Sequence, residues 1–387
     1  IFFKFLNMVI KNKFLNNISN APEKDLKEIL GKESSPFISF EFLDALEKSM
    51  CVGDSSGWQP KHLSLFDEDR LSGFMPLYLK NNSHGEFVFD HQWSYALNRA
   101  ERNYYPKLIS AIPFTPCETK KFIYGNGLNE THFINPTKEL MRQENIESWH
   151  ILFPNSDIKN LLLDNDFIER SGYRFTWNNK NYSDFENFLE IFTSRQRKNI
   201  KTERKKISSL DISFTVKDRD NLNGRDWDIF YKFYKNTYSE RKQAPYLNMD
   251  FFKLVHENRS SLRPVIFFAE HDGKQIAGSL CFQGEDTLYG RHWGSLENID
   301  SLHFECCYYQ GIDYCIQNDI QFFDPGVQGE HKIRRGFEPK KSNSYHFILK
   351  EDFRDAIREF CLEESKSINS YLAACEEYTP IKKEYRI

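Results

Sequence analysis

The densest group of side chains able to move a proton is the segment Asp324-Pro325-Gly326-Val327-Gln328-Gly329-Glu330-His331-Lys332. It leaves the end of a short apolar run, Ile320–Asp324, which reads as a buried strand. Open α/β sheets usually carry their chemistry at the carboxyl ends of strands. Two glycines loosen the backbone there, and Glu330, His331 and Lys332 follow as three titratable groups in a row. Arg334 and Arg335 beyond them suit either solvent or a phosphate. Upstream lies Gly290-Arg291-His292-Trp293-Gly294, with a glycine at each end where another backbone or a ligand can approach closely. Arg291 and His292 are then placed to meet a phosphate or an acceptor. The alternative is a strand with one solvated face. His303 and Glu305 fall in the first turn of the next helix, where free N–H groups and the helix dipole favour anions. Glu305 in that place also suits a merely stabilising first-turn acid. His303 shares a face with Cys307, Gln310 and Tyr314, although Cys307 reads more readily as core.

Two further sets stand apart. Asp90, His91, Trp93 and Tyr95, with Tyr104, Tyr105 and Lys107 beyond, combine aromatic rings with a few charges. That mixture suits a surface for a bulky acceptor such as a sugar-peptide, and equally a core stripe. Arg195–Lys206 holds seven Lys or Arg and a single acid, Glu203. It reads as a solvated helical face or as a phosphate-gripping helix for a tRNA or an anionic lipid carrier.

The elements that must position these groups are set by periodicity. Ile212–Val216 alternates as a strand, and Trp227, Phe230, Tyr231, Tyr234 and Tyr238 recur at three and four, one face of a helix. A short helix near Met249–His256 comes next. Val265–Ala269, Ile276–Phe282 and Leu288–Trp293, separated by His271-Asp272-Gly273 and Gly284-Glu285-Asp286, form a three-stranded meander. Asp300 and Ser301 are expected to cap a helix over Leu302–Gln317. Helical turns over Gly329–Gly336 and a strand over Ser344–Leu349 complete the order. The first half repeats it more weakly: a strand near Val9–Ile18, a helix Phe40–Met50, and strands His62–Phe66, Gly73–Leu79 and Glu86–Phe89. A long aromatic insertion precedes the helix Thr137–Glu147, the strand Trp149–Phe153, the helix Ile158–Leu163 and the strand Tyr173–Trp177. The repeat predicts two α/β domains, 1–185 and 186–349. A C-terminal helix and tail over 350–387 should come after them, with Phe353, Ile357, Phe360 and Cys361 on one face.

Composition narrows the classes. With 387 residues, 40% of them hydrophobic and 28% charged, the chain affords a large core in two or three domains. Aromatics at 16% exclude disorder as the main state, and 18 Gly with 14 Pro exclude a collagen-like chain. A net charge of −4 provides no global field for nucleic acid, though a local grip stays open. Eight scattered cysteines without a Cys-x-x-Cys pair speak against a disulfide scaffold and a zinc ribbon, and imply reduced thiols in a cytoplasmic protein. No run approaches the roughly 18 apolar residues of a membrane span. The apolar opening Ile1–Leu6 is broken by lysines at 4, 11 and 13, so no signal-peptide core is expected, and Met8 is a candidate start.

The element order resembles the GNAT fold of N-acetyltransferases, and a tandem pair of such units resembles the Fem-type peptidoglycan aminoacyltransferases. A closer resemblance is to the FemAB-like family, named for peptidoglycan biosynthesis or recognition and described as predicted N-acyltransferases. In the first half it rests on Ser35-Pro36-Phe37, Phe42–Glu47, Pro76–Lys80, Tyr104–Leu108 and Pro113–Pro116. In the second it rests on Leu288–Gly294, His303-Phe304-Glu305, Tyr308–Gly311, Gln328–Lys332 and Arg335-Gly336-Phe337. The resemblance implies an α/β tandem GNAT fold of Fem-type architecture. It further implies transfer of an acyl or aminoacyl group from an activated donor, acyl-CoA or aminoacyl-tRNA, to an amine, a cell-wall precursor being the candidate acceptor. No metal is expected. The amine would attack the carbonyl directly, with Glu330, Glu305 or His331 as base and strand N–H groups holding the oxyanion. Arg291, His292, His303, Gln328 and Lys332 would bind substrate, as would Asp90, His91, Trp93 and Tyr105 of the first half. The chain departs from the commonest acetyltransferase pattern at Leu296–His303, which has no glycine where the pyrophosphate loop would be. A tyrosine is also missing just after the Asp324 strand, where many members carry their acid. The rival reading is a non-catalytic recognition module. Convergence of Glu330, His331, Arg291 and Glu305 on one cleft would favour the transferase.

Overall fold

A computed structural model describes residues 10–386 apart from Lys32, Ser34 and Gln328. Met8, Val9 and the candidate binding residue Gln328 therefore lie outside the described residues. Packing divides the chain into two units. One holds Phe37–Ser171 and Asn343–Ser365 with the described residues up to Glu33, and the other holds Gly172–Ser342 and the chain from Lys366 on. The sequence places its first boundary near 185, whereas this division falls at Ser171/Gly172, within a strand.

In the first unit the strands are β1 (Ile10–Leu15), β2 (Trp58–Pro60), β3 (His62–Asp67), β4 (Arg70–Met75), β5 (Tyr78–Lys80), β6 (Lys107–Ser110), β7 (Ile123–Tyr124) and β8 (Ser148–Leu152). β1, β3, β4 and β7 form one sheet in that order, and β8, β6, β5 and β2 are neighbours in another, with Ser344–Ile348 antiparallel to β8. Leu63, Leu65, Met75, Leu108, Trp149 and Ile151 send side chains from these strands into a core shared with Phe133 and Ile134. The helix Phe40–Lys48 starts where Ser39 accepts the Phe42 N–H, an N-cap that satisfies an orphan donor.

One expected strand is absent. Glu86–Phe89 is not extended, and the helix His91–Arg99 comes after it, within the stretch expected to be an insertion. The apparent alternation has its polarity reversed, since Glu86 is buried and Phe89 is exposed. Gly85 and Phe87 both take positive φ, of 78° and 60°, which turns Glu86 inward toward Lys107 on β6. A salt partner distant in sequence thus overrides local period.

The second unit contains most of β9 (Ile168–Asn178), then β10 (Ser213–Lys217), β11 (Pro264–His271), β12 (Lys274–Gln283), β13 (Thr287–Ser295) and β14 (Phe322–Asp324), and the start of β15 (Glu338–Ile348). The order is β10-β11-β12-β13-β14-β9. β10 to β13 are antiparallel, and β14 returns parallel to β13 after a helical crossover. The β11–β12 turn has Asp272 at φ 50° and Gly273 at φ 69°, the doubly left-handed geometry that an Asp-Gly pair favours. Asn223 caps the helix Gly224–Glu240 with a reciprocal Asp226 bond, and Trp227, Phe230, Phe233 and Tyr234 form its buried stripe. The core gathers Phe175, Trp177, Phe188, Phe267, Ile312 and Phe323.

The crossover helix departs from expectation at two points. Ser301 sits at its start with φ 71°, yet its hydroxyl bonds Asp300 and caps nothing, while Asp300 meets Lys206 at 2.6 Å. After Leu302–Phe304 the coil widens into a π turn over Glu305–Tyr309 before Gln310–Gln317 resumes α geometry. The final helix, Glu351–Glu377, buries Phe353, Ile357 and Cys361 along the expected face with Phe360 beside them. No helix among the described residues is long and apolar enough to cross a membrane. All eight cysteines are free thiols.

Candidate active site

β13 and β14 pair only over Thr287–Tyr289 and Phe322–Asp324. Beyond that point Pro325 contributes no N–H, Gly326 turns at φ 84°, and the two strands part. On its other edge β13 skips one residue against β12, since Leu280 faces His292 and Cys281 faces Gly290, leaving Arg291 as the extra residue of a bulge. Bulges re-aim side chains and are frequent beside sites. Where the strands part lies a cavity of about 420 Å³, within the range of small-molecule sites.

Five elements line it, β12 among them with Ser279, Leu280 and Cys281. β13 contributes Arg291 and His292, the crossover helix contributes His303, Cys307 and Tyr308, and the loop after β14 contributes His331 and Lys332. The helix Gly224–Glu240 and the residue after it add Tyr234, Tyr238 and Arg241. Gly294 makes that helix's approach possible. A Cβ there would stand 2.1 Å from the Phe233 carbonyl oxygen, so only glycine lets β13 touch the helix backbone. The π turn adds one residue to a helical turn and swings Tyr308 toward the cavity beside Cys307.

His331 and Tyr308 are bonded, imidazole Nε2 to phenol oxygen, at 2.9 Å. Burial, then the positive charges of Arg335 and Lys332, hold the His331 imidazole below its ordinary value. The imidazole is therefore neutral and able to accept a proton near pH 7. Tyr308 is pushed upward by burial and keeps its proton. His303 is lowered to about 4 by burial and by its positive neighbours, and His292 to about 3 by burial and Arg291. Burial lowers Lys332 to about 8 against the raising pull of Asp324. Its ammonium donates to the carbonyl of Gly326 at 2.7 Å and tightens the loop. Gly329, at φ 106°, leaves room for the His331 ring, whose Cε1 lies 2.5 Å from where a Cβ would be.

Five of the expected residues thus meet in one cavity: Arg291, His292, His303, His331 and Lys332. The expected carboxylates stand elsewhere. Glu305 is buried but points to the basic helix Ser194–Ser208, where it pairs with Arg204 at 3.1 Å and accepts from Gln310 at 2.8 Å. The π turn is the cause, because it brings residue 310, five positions on, beside Glu305. Glu330 is exposed and lines a broader groove of about 870 Å³ with Lys198, Glu203, Phe304, His331, Arg334 and Arg335. That groove and the cavity share His331. Arg335 fixes the loop from beneath. It stacks on Phe304 at 3.4 Å, donates to the His331 carbonyl at 2.8 Å and pairs with Glu203 at 2.7 Å.

In the first unit, Asp90 and Trp93 are buried and Tyr105 is half-buried. Asp90 is buried against Lys107, which also holds Glu86 at 2.8 Å. Trp93 is core, edge-on to His346 at 4.8 Å, and Tyr105 bonds Ser83 at 2.7 Å. His91 alone is exposed. Along the basic helix, Arg197, Lys198, Lys201 and Lys205 share a shallow groove, Lys201 pairing with Glu186, and Arg204 and Lys206 are committed to Glu305, Asp313 and Asp300. Tyr234, Tyr238, Arg241 and Tyr308 are site residues that sequence reasoning does not single out. The signal is present in part, since 234, 238 and 241 lie on one helical face opposite the glycine at 294.

Among the described residues no group of three or more His, Cys, Asp or Glu side chains is arranged to hold a metal ion. The arrangement offers a neutral base, a protonated phenol and several cations. That set can receive a charged substrate and take up a proton.

Comparison with known proteins places this geometry in a family. The structure of FemX is similar with a TM-score of 0.53 and 10% identity, over 87% of this chain and 98% of that one. The C-terminal domain of a putative lysylphosphatidylglycerol synthetase from Agrobacterium fabrum is similar at 0.52 and 9%, over 89% and 96%. A conserved protein of unknown function from Bacteroides thetaiotaomicron is similar at 0.51 and 12%, over 87% and 99%. At such identities the likeness is one of fold, and the fold is the Fem-type α/β architecture that the sequence resemblance implied. No curated protein matches the chain in sequence. The family profile described as peptidoglycan biosynthesis/recognition matches residues 17–383, and the chain accordingly belongs to the FemAB-like family.

Proposed function

We propose that the protein transfers an acyl or aminoacyl group from an activated donor to an amine, and that the cavity between the parted ends of β13 and β14 is where transfer occurs. The carrying observation is the His331–Tyr308 pair, a neutral imidazole bonded to a protonated phenol inside a cation-lined space. Aminolysis needs such a base. The amine nitrogen bonds to the carbonyl carbon, His331 takes the proton the nitrogen sheds, and the bond to the leaving sulfur or oxygen breaks as that atom gains a proton. Backbone N–H groups of β13 are the candidate oxyanion donors. In this reading His331 takes the basic role also open to Glu330 and Glu305, Arg291, His292, His303 and Lys332 bind substrate, and Gln328 keeps its expected part in binding. Acyl-CoA and aminoacyl-tRNA are the two donors to test, with an amine of a cell-wall precursor as acceptor. The reading includes a cytoplasmic setting, where free thiols stay reduced.

The test is direct. Purified protein is mixed with each donor and a panel of amine-bearing cell-wall fragments, and products are read by mass spectrometry. The expected result is an adduct of acyl mass with at least one donor, lost in His331→Asn. Binding of a fragment with no transfer from either donor class would replace the reading with a recognition module.

A further inference from the structure

The cavity's charge is one-sided. Arg241, Arg291 and Lys332 line it, and no Asp or Glu does among the described residues. The nearby carboxylates are turned to other partners. Asp324 meets Arg174 and accepts the Gly326 N–H at 3.0 Å, Glu305 meets Arg204, and Glu203 meets Arg335. Neutral groups complete the lining with defined polarity. The Thr237 hydroxyl donates to the Trp293 carbonyl at 2.9 Å, and that of Ser279 to the Cys306 carbonyl at 2.8 Å. Tyr234 accepts the Leu247 N–H at 3.2 Å. His292, edge-on to Tyr234 at 5.1 Å, stays uncharged through burial. Three lining cations, Arg291 half-buried, Lys332 buried and Arg241 exposed at the rim, favour a ligand that brings negative charge.

The two arginines are also placed for recognition. Arg291 is the bulged residue of β13, and Arg241 ends the helix that Gly294 admits, so the two guanidinium groups approach the cavity from different elements. Guanidinium groups bind carboxylate and phosphate through paired N–H bonds. Lys332 is tethered to the Gly326 carbonyl, so it contributes field more than contact.

We propose that the acceptor amine carries an acid group, carboxylate or phosphate, and that Arg241 and Arg291 hold this group in the cavity with the amine turned to His331. The inference rests on the transfer reading above and names its acceptor class: a compact amino acid, or the amine of a phosphorylated headgroup.

Calorimetry on the full chain tests it with three amines of similar size: β-alanine, O-phosphoethanolamine and ethanolamine, which lacks an acid group. At least one acidic amine is expected to bind tenfold or more tightly than ethanolamine, about 1.4 kcal/mol. Which of them does so distinguishes carboxylate from phosphate. Arg291→Gln and Arg241→Gln, each checked for an unchanged melting temperature, should each reduce that preference by threefold or more. Equal affinity for all three amines overturns the proposal, as does an acid preference that survives both substitutions together. Acid-selective binding without transfer from any donor would sink the transfer reading and leave the anion site standing. Transfer to ethanolamine as fast as to its acidic analogues would do the reverse.

Discussion

Gly294→Ala is the sharpest single perturbation of the candidate site. The added Cβ would lie 2.1 Å from the Phe233 carbonyl oxygen, 2.2 Å from its carbonyl carbon and 2.7 Å from the Tyr234 nitrogen. Ordinary contact begins at 3.4 Å, so β13 and the helix Gly224–Glu240 must separate by about 1.3 Å. These are backbone atoms, which no rotamer change can move aside. The helix is anchored by buried Trp227, Phe230 and Phe233, so its retreat opens the core along several turns. Overpacking of this kind costs about 1–3 kcal/mol, and the backbone-to-backbone clash argues for the upper end. For a unit of roughly 190 residues each kcal/mol lowers the melting temperature by about 2–4 °C, so a fall of about 6–12 °C is expected. Gly224→Ala is the control, since a Cβ there meets nothing within 4 Å and the residue opens a helix. Differential scanning calorimetry of both variants decides. A Gly294→Ala protein melting within a degree of the parent would refute the claim that this glycine sets the helix-to-strand distance. If the fold survives with its helix displaced, Tyr234, Tyr238 and Arg241 move with it, and ligand affinity should fall as well.

The same geometry fixes other outcomes. His331→Asn should reduce transfer roughly 10²–10⁴-fold with the melting temperature unchanged, and the parent rate should hold as pH falls through 6.5, because the folded imidazole titrates below that value. Stability of the second unit should decline as pH falls from about 6.5 toward 4, since unfolding lets His292 and His303 take up protons that the fold refuses; urea titrations across this range read it, and His303→Gln should flatten the curve. Lys107→Ala strands Glu86 and Asp90 in the interior of the first unit and should cost about 3–5 kcal/mol, measured by denaturant unfolding. Changing Arg197, Lys201 and Lys205 together to Glu should weaken polyphosphate binding and shallow its salt dependence; an unchanged slope would mark the helix as a solvated face.

How far the fold and the site are legible in the sequence depends on how local each cause is. The meander is legible because an Asp-Gly turn and period-two apolar runs act within a few residues, and Asp272 and Gly273 take the very conformations their types favour. The last helix is legible for the same reason, its stripe at 353, 357 and 361 matching one turn of a coil. Glu86–Phe89 misleads because its period is right and its polarity is not, the deciding partner being a lysine twenty-one positions away. The site divides along the same line. Arg291, His292, His303, His331 and Lys332 stand out because segment ends and glycines announce where strands stop and backbones come close. Glu305 is misplaced because nothing in Glu305–Tyr309 signals a π turn, and one extra residue in a turn re-aims side chains by about 100°. Arg335 carries the consequence of that rotation. With Glu305 turned to Arg204, the loop that holds His331 is steadied instead by Arg335, stacked against Phe304 and paired with Glu203 of the basic helix. The basic helix therefore reaches the candidate base through two bonds, Glu203 to Arg335 and Arg335 to the His331 carbonyl, which makes its single acid as consequential as its seven cations.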